Sequence, residues 1–399
     1  MSKKSTSFKI KSQLSKILVV CICMISLTAV SQDTSKVTET FKPSGKISGY
    51  AFGDYAYKLH ADSALRGNLQ YSKLPKNYSS FNFRRIYLQY DYHFSPNISS
   101  QLLLAHESTS EVDLSSSNVL TDNNRAFYIK AMNISFKNII PQATIVAGQQ
   151  ATPTFSRLSE TVWGYRSIEK TIVDMRGISS SNDLGVGIYG KIGKNENVGY
   201  DIMVGNSNGA KVEIDKYKKI YTSMYFYFLD KKLVLQGNFE HDKTASVPLQ
   251  KNINNFKAFA GYKTSTTAVG VEAFTQLKTN NIYYLKGIGD SVYTDVRRSG
   301  ISFFMTRQLT KNKLNLFARF DLYNPDSKYN NSHNYESGYN TTKEMFATLG
   351  LDFIPYKNVH IMPNLWVNQY HSKLPGASGD LRNDYDLAGR ITLYFLFNK

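Results

Sequence analysis

Two cysteines are all that this 399-residue chain has, and both, Cys21 and Cys23, fall within its first 31 residues. Beyond that segment the chain has no thiol and no disulfide, so in an oxidising compartment its stability rests on backbone pairing and packing rather than covalent staples. Past residue 31 there is also no apolar run of the roughly 20 residues that a membrane-crossing helix needs. The seven histidines are scattered without metal-ligand spacing. No metal, cofactor or catalytic set is therefore expected.

The first 31 residues read as a secretory signal peptide. Lys3, Lys4, Lys9, Lys11 and Lys16 form a positive head, Ile17 to Val30 an apolar stretch, and Ala29-Val30-Ser31 offers small residues for cleavage before Gln32. Residues 32–45 are polar, with Pro43 and Gly45, and read as a periplasmic lead-in. No plug domain is expected before the first strand, which argues against an energy-coupled transporter. Without the signal the chain carries 43 Lys and Arg against 31 Asp and Glu, a balance of +12. A basic excess suits an anionic solute or lipid headgroup; nucleic acid fits an exported chain badly.

What is abundant is alternation. In 83–94, Ile86, Leu88, Tyr90, Tyr92 and Phe94 fall on one face and Arg85, Gln89, Asp91 and His93 on the other. In 384–397, Leu387, Ile391, Leu393, Phe395 and Phe397 oppose Asp386, Arg390 and Thr392. This period of two marks strands with one greasy and one wet face. Sixteen such strands are read between residues 46 and 397, many of the length that a tilted strand needs to cross a bilayer. Short linkers such as 95–97, 138–141, 230–232 and 310–313 alternate with long ones such as 59–80, 107–125, 151–182, 277–297 and 324–342. A transmembrane barrel sorts its turns this way, with short turns on one rim and long loops on the other. A soluble sandwich or propeller has no reason to. The 28 tyrosines and 23 phenylalanines supply material for aromatic girdles at the two bilayer interfaces. The expected fold is all-β: a transmembrane antiparallel barrel of about sixteen strands over 46–399, closed because every backbone amide in lipid must pair.

The longest linker, 151–182, holds Arg157, Trp163, Arg166, Lys170 and Arg176. A loop of this length is usually functional, and the expectation is that it folds into the lumen and narrows it. Arg157, Arg166, Lys170 and Arg176 would then favour anions at the constriction, unless Glu160, Glu169 and Asp174 neutralise them locally. Arg85, Arg319 and Arg390 fall on the water-facing side of their strands and are expected to line the lumen.

Val146-Ala147-Gly148-Gln149 leading to Thr152-Pro153, Trp163 to Asp174, Ser181-Asn182-Asp183-Leu184-Gly185-Val186, and Phe83-Arg84-Arg85-Ile86-Tyr87 together resemble the phosphate-selective porin O and P family of Gram-negative outer membranes. The resemblance implies a sixteen-stranded homotrimeric channel in the outer membrane with an infolded third extracellular loop. This loop has one lysine, Lys170, where that family's phosphate binders have a lysine-rich constriction.

Two motif matches lead elsewhere. Gly205-Asn206-Ser207-Asn208-Gly209 fits G-x-S-x-G, which needs a strand–turn–helix elbow, whereas here a polar loop leads into another strand. Gly185 to Gly190 fits G-x-G-x-x-G but continues as a strand instead of opening a helix. The expected function is passive diffusion of small hydrophilic or anionic solutes, without catalysis. The rival readings are a barrel hydrolase with a site at the rim, and a non-conducting adhesion or structural barrel.

Overall fold

The computed structural model describes residues 41–107, 127–209, 211–213, 215–244, 249–287, 290–330, 332–335, 341–371 and 383–398. The signal peptide, most of the lead-in, and the greater part of the linkers 107–125 and 371–384 lie outside the described residues.

The unit from Lys42 to Lys399 is built from β1 (Ser44–His60), β2 (Ser79–Ser95), β3 (Ile98–Glu107), β4 (Tyr128–Lys137), β5 (Ala143–Ala151), β6 (Asn182–Ile192), β7 (Val198–Gly205), β8 (Lys219–Phe228), β9 (Leu233–Thr244), β10 (Lys251–Lys263), β11 (Thr267–Gly287), β12 (Asp290–Thr310), β13 (Leu314–Asn324), β14 (Asn334–Tyr335), β15 (Lys343–Tyr356), β16 (Val359–His371) and β17 (Asn383–Phe397). Each long strand pairs antiparallel with its neighbours in sequence, and β13 pairs directly with β15. β1 also pairs with β17, from Gly49 opposite Phe397 to His60 opposite Leu387. The sheet has no free edge: it is a closed barrel of sixteen strands, with the two-residue β14 resting on β11.

The apolar face of each strand is the exposed one. Ile391, Leu393 and Phe395 are 47, 54 and 47% exposed, while the alternating Arg390 and Thr392 are 3 and 0% exposed. A water-soluble β-protein has the reverse arrangement, so this polarity decides between a soluble sandwich and a membrane barrel. Exposed Phe94, Phe228, Tyr262, Tyr356 and Phe397 ring the rim with the short turns, and Tyr57, Phe81, Tyr128 and Tyr385 ring the other. At the short-turn rim Asn138, Asn312 and Asn358 have φ of +61°, +54° and +66°, which asparagine tolerates better than most side chains.

One expected loop is not a loop. Residues 277–287 and 290–297 continue β11 and β12 as paired strands, with Ile282 opposite Thr294 and Tyr284 opposite Val292 after a register break at Lys278. Each strand has 21 residues, roughly 70 Å of chain at ~3.3 Å per residue, against a hydrocarbon core of about 30 Å. The upper half of this hairpin therefore stands clear of the bilayer.

The wall is uneven in height. β3 to β8 have 8 to 11 residues each, whereas β1 and β2 have 17 each.

Candidate functional site: the lumen and its constriction

The long linker after β5 enters the barrel. Its neck is closed where Thr152 donates from its backbone N–H to the Ser181 carbonyl (3.0 Å) and from its hydroxyl to the Ser180 carbonyl (2.7 Å). Between these ends the chain contains two short helices, α1 (Ser159–Trp163) and α2 (Ile172–Met175). Phe155, Ile172, Val173 and Ile178 are buried against Phe274 and Tyr323 of the wall. Trp163 and Val162 pack with Phe259, Phe304 and Phe317. Two wall glycines make the seat: a Cβ on Gly261 would lie 3.2 Å from Val162 Cγ2, and one on Gly300 would lie 2.9 Å from Ile172 Cδ1.

A loop buried in a barrel has the difficulty that its backbone carbonyls lose water. Here the inner wall supplies donors. Arg84 donates to the carbonyls of Ser167 (2.7 Å) and Ile168 (3.3 Å), Arg390 to Ile168 (3.3 Å), and Arg319 to Lys170. Arg298 donates to Arg176 (2.5 Å), Lys257 to Thr154 (2.6 Å), and Asn255 and Gln276 to Ile178 (3.1 and 3.0 Å). Glu169 lies buried and accepts from the indole of Trp366 (3.4 Å). Burial opposes its ionisation, but Arg84, Arg390, Lys170 and Arg319 outweigh that and hold its carboxyl below the usual range.

This arrangement places the seven bases that the sequence singles out. Arg319 and Arg390 point inward but sit beneath the loop, each 3% exposed; they are engaged with loop carbonyls and with Asp321 and Asn364. Arg176 is buried too, bonded to Glu344 at 2.6 Å and set over Tyr323. Arg85 reaches Glu107 at 3.1 Å. Arg166 pairs with Glu160 and with Asp174 (2.8 Å), and Lys170 lies 4.0 Å from Asp174. Burial raises the Asp174 carboxyl, yet Arg166, Lys170 and Arg85 prevail and hold it below its ordinary value. Arg157 is the most exposed of the four loop bases, stacked 4.1 Å above Tyr189 and 3.7 Å from Asp201, the register partner of Tyr189 on β7.

The loop covers the wall from β9 through β17 to β2 and leaves the β3 to β5 side open. A cavity of about 340 Å³ remains there between the loop and β1 to β4, lined by Tyr50, Tyr87, Gln101, Lys130, Glu160, Arg166 and Tyr394 among others. Around it, Arg85, Lys130, Arg166 and Lys170 stand against Glu107, Glu160 and Asp174, four bases against three acids. Lys130, bonded to Glu107 at 2.7 Å and to Ser181 at 3.2 Å, does not stand out in the sequence; its place at the bulge where β4 pairs with β3 becomes visible only with the register.

Two further parts of the lumen carry no clear sequence signal. Residues 61–78, between β1 and β2, also fold inward: Tyr71 and Leu74 are buried with Trp366 and Phe346, and the Tyr71 hydroxyl donates to Asp54 at 2.8 Å. Higher up, Lys278, Arg176 and Arg298 line a second cavity of about 300 Å³ with Tyr323 and Glu344. Lys278 has no hydrogen-bond or ion-pair partner among the described residues.

The two rejected motifs sit as their contexts require. Gly185 to Gly190 lies within β6. Ser207 donates to Asp242, while His241, on the other face of β9, bonds Asn254 at 2.8 Å.

No protein-family model matches the sequence, and no curated protein does. Solved structures do. The outer membrane channel DcaP of Acinetobacter baumannii superposes with a TM-score of 0.62 at 10% identity, over 89% of this chain and 97% of that one. The anion-selective porin from Comamonas acidovorans gives 0.57 at 12% identity, over 89% and 100%. OmpF of Salmonella typhi, in complex with daunomycin, gives 0.55 at 10% identity, over 88% and 97%. The fold is that of the outer-membrane porins. At these identities the likeness concerns the porin fold alone, and it does not reach the narrower phosphate-selective family of the sequence resemblance.

Proposed function

We propose that the protein is a porin of a Gram-negative outer membrane, passing small hydrophilic solutes by passive diffusion with a mild preference for anions. The observation that carries this is the cavity between the infolded loop and β1 to β4, with four bases against three acids around it. A single excess charge, screened by salt within about 8–10 Å, biases permeation without making it exclusive. Lys278, without a side-chain partner among the described residues, stands beside Arg298 and Arg176 at the outer mouth and adds to the same sign of field. Likeness in fold to an anion-selective porin supports this direction. Phosphate is one anion among those expected to pass, and no reaction is assigned.

The low wall over β3 to β8 supports a homotrimer. Strands of this length only just span the hydrocarbon layer, and a marginal span is relieved by oligomerising, so this side is expected to face its copies. Crosslinking of cysteines introduced on the lipid face of β4 and β5 should give trimers in native membranes; monomer alone would reject this.

The anion preference is tested by the reversal potential across a tenfold potassium chloride gradient. A potential of the sign set by chloride is expected. A cation-selective potential contradicts the reading.

A further inference from the structure

The cavity beside the loop has a lining that the charge argument does not use. Tyr50 and Phe52 follow each other on the inner face of β1, Tyr87 lies beside them on β2 and Tyr394 on β17. The Tyr50 ring lies 4.5 Å from Tyr87 and parallel to Phe52 at 6.5 Å, and Tyr394 meets Tyr50 and Phe52 edge-on at 5.9 and 6.1 Å. Phe52 and Tyr87 are buried beneath, while Tyr50 and Tyr394 remain partly open to the cavity. The patch continues to His360, 5.3 Å from Tyr394.

Such a patch inside a water-filled lumen is costly to leave wet; Tyr394 also packs against the cluster that seats the loop, while Tyr50, Phe52 and Tyr87 belong to a separate cluster. Opposite it stand neutral donors and acceptors, among them Gln101, Ser156, Ser167 and Asn182. The two bases in the lining are already engaged, Lys130 with Glu107 and Arg166 with Glu160 and Asp174. A small dense anion such as phosphate gains little from cations already held by carboxylates, and it gains nothing from rings. A pyranose fits both halves. Its flat C–H face lies on an aromatic ring, and its in-plane hydroxyls exchange hydrogen bonds with amides, hydroxyls and paired ionic groups. The volume, about 340 Å³, is at the small end of ligand sites.

We propose that this cavity is a saccharide station: a neutral mono- or disaccharide stacks on Tyr50 and Tyr394 as it passes the constriction. The inference rests on the lumen being an open passage, and two measurements separate its failure from the failure of that reading. In the first, maltose is titrated calorimetrically into the folded, detergent-solubilised protein, with sorbitol, a polyol without a ring face, as control. Saturable maltose binding without sorbitol binding is expected, weakened about three- to tenfold in Tyr50→Ala and Tyr394→Ala and within twofold of the wild type in Tyr50→Phe. Absent maltose binding, equal response to sorbitol, or indifference to both alanine changes overturns the proposal. The comparison of the two solutes in the wild-type protein holds even if a variant fails to fold. In the second, ion current through the wild-type protein is recorded with maltose added. Saturable block supports the station, and conduction without block overturns it while leaving the channel intact. A barrel that binds maltose but carries no current keeps the site and loses the channel reading.

Discussion

At the residue scale, the lumen is organised by which charge finds which partner. Four loop bases are legible in the sequence, and local charge counting offers Glu160, Glu169 and Asp174 as their acids. The structure brings Glu160 and Asp174 to Arg166, and Asp174 to Lys170. The other two find partners on the wall: Arg176 meets Glu344, 168 positions away, and Arg157 meets Asp201 on β7. Charge counting also misses that Arg319 and Arg390 are taken by loop carbonyls. Glu169 lies buried in the field of Arg84, Arg390, Lys170 and Arg319, and Glu169→Gln removes a counter-charge that they share. Its hydrogen bonds from Trp366 and the Lys170 backbone are weakened with it, and hydrogen bonds to a charged group contribute about 1.5–3 kcal/mol. The variant is expected to unfold at a lower denaturant midpoint with an unchanged slope; an unchanged midpoint would mean that this cluster does not hold the loop. The same groups set a pH dependence. Glu169 and Asp174 have folded values below their unfolded ones. Their stabilisation is thus present above the ordinary carboxylate range and is lost as the pH falls through the depressed values, below about 4. Channel current should be steady from pH 5 to 8 and grow noisy below about pH 4. At the outer mouth Lys278→Glu should move the reversal potential towards cations while changing stability by less than about 0.5 kcal/mol, since no side-chain partner among the described residues is lost.

At the element scale, strands are readable wherever lipid and water impose opposite faces. The alternating stretches 83–94 and 384–397 fall within β2 and β17. The alternation fails at 277–297 for a physical reason: above the bilayer both faces of β11 and β12 are wet, so pairing continues while the hydrophobic pattern stops. The inward fold of 61–78 is hidden because its anchors, Tyr71 and Leu74, are two apolar residues in a polar stretch. The long loop is legible as infolded from its length and mixed composition, whereas its seat depends on glycines that carry no pattern. Gly300→Val places side-chain atoms against Ile172 and Phe274 and should cost about 1–3 kcal/mol by overpacking. Current flicker should increase, because the loop is lifted from β12. A variant with wild-type noise and wild-type melting would show that the loop is not seated there.

At the scale of the whole molecule, a closed hydrogen-bonded wall with an apolar exterior surrounds a polar interior, and the described residues leave one side of the lumen uncovered. Two inward-folded segments cover the rest, so the account turns on whether the remaining gap beside β1 to β4 runs from mouth to mouth. A sealed barrel would share the exterior, the girdles and the turn asymmetry, and would differ only in this. Single-channel recording of the refolded mature protein in a planar bilayer measures it directly. The account predicts stepwise, ohmic currents in potassium chloride that grow when residues 155–178 are replaced by a short glycine-serine link. Inserted, folded protein that carries no steps with the loop intact would contradict it.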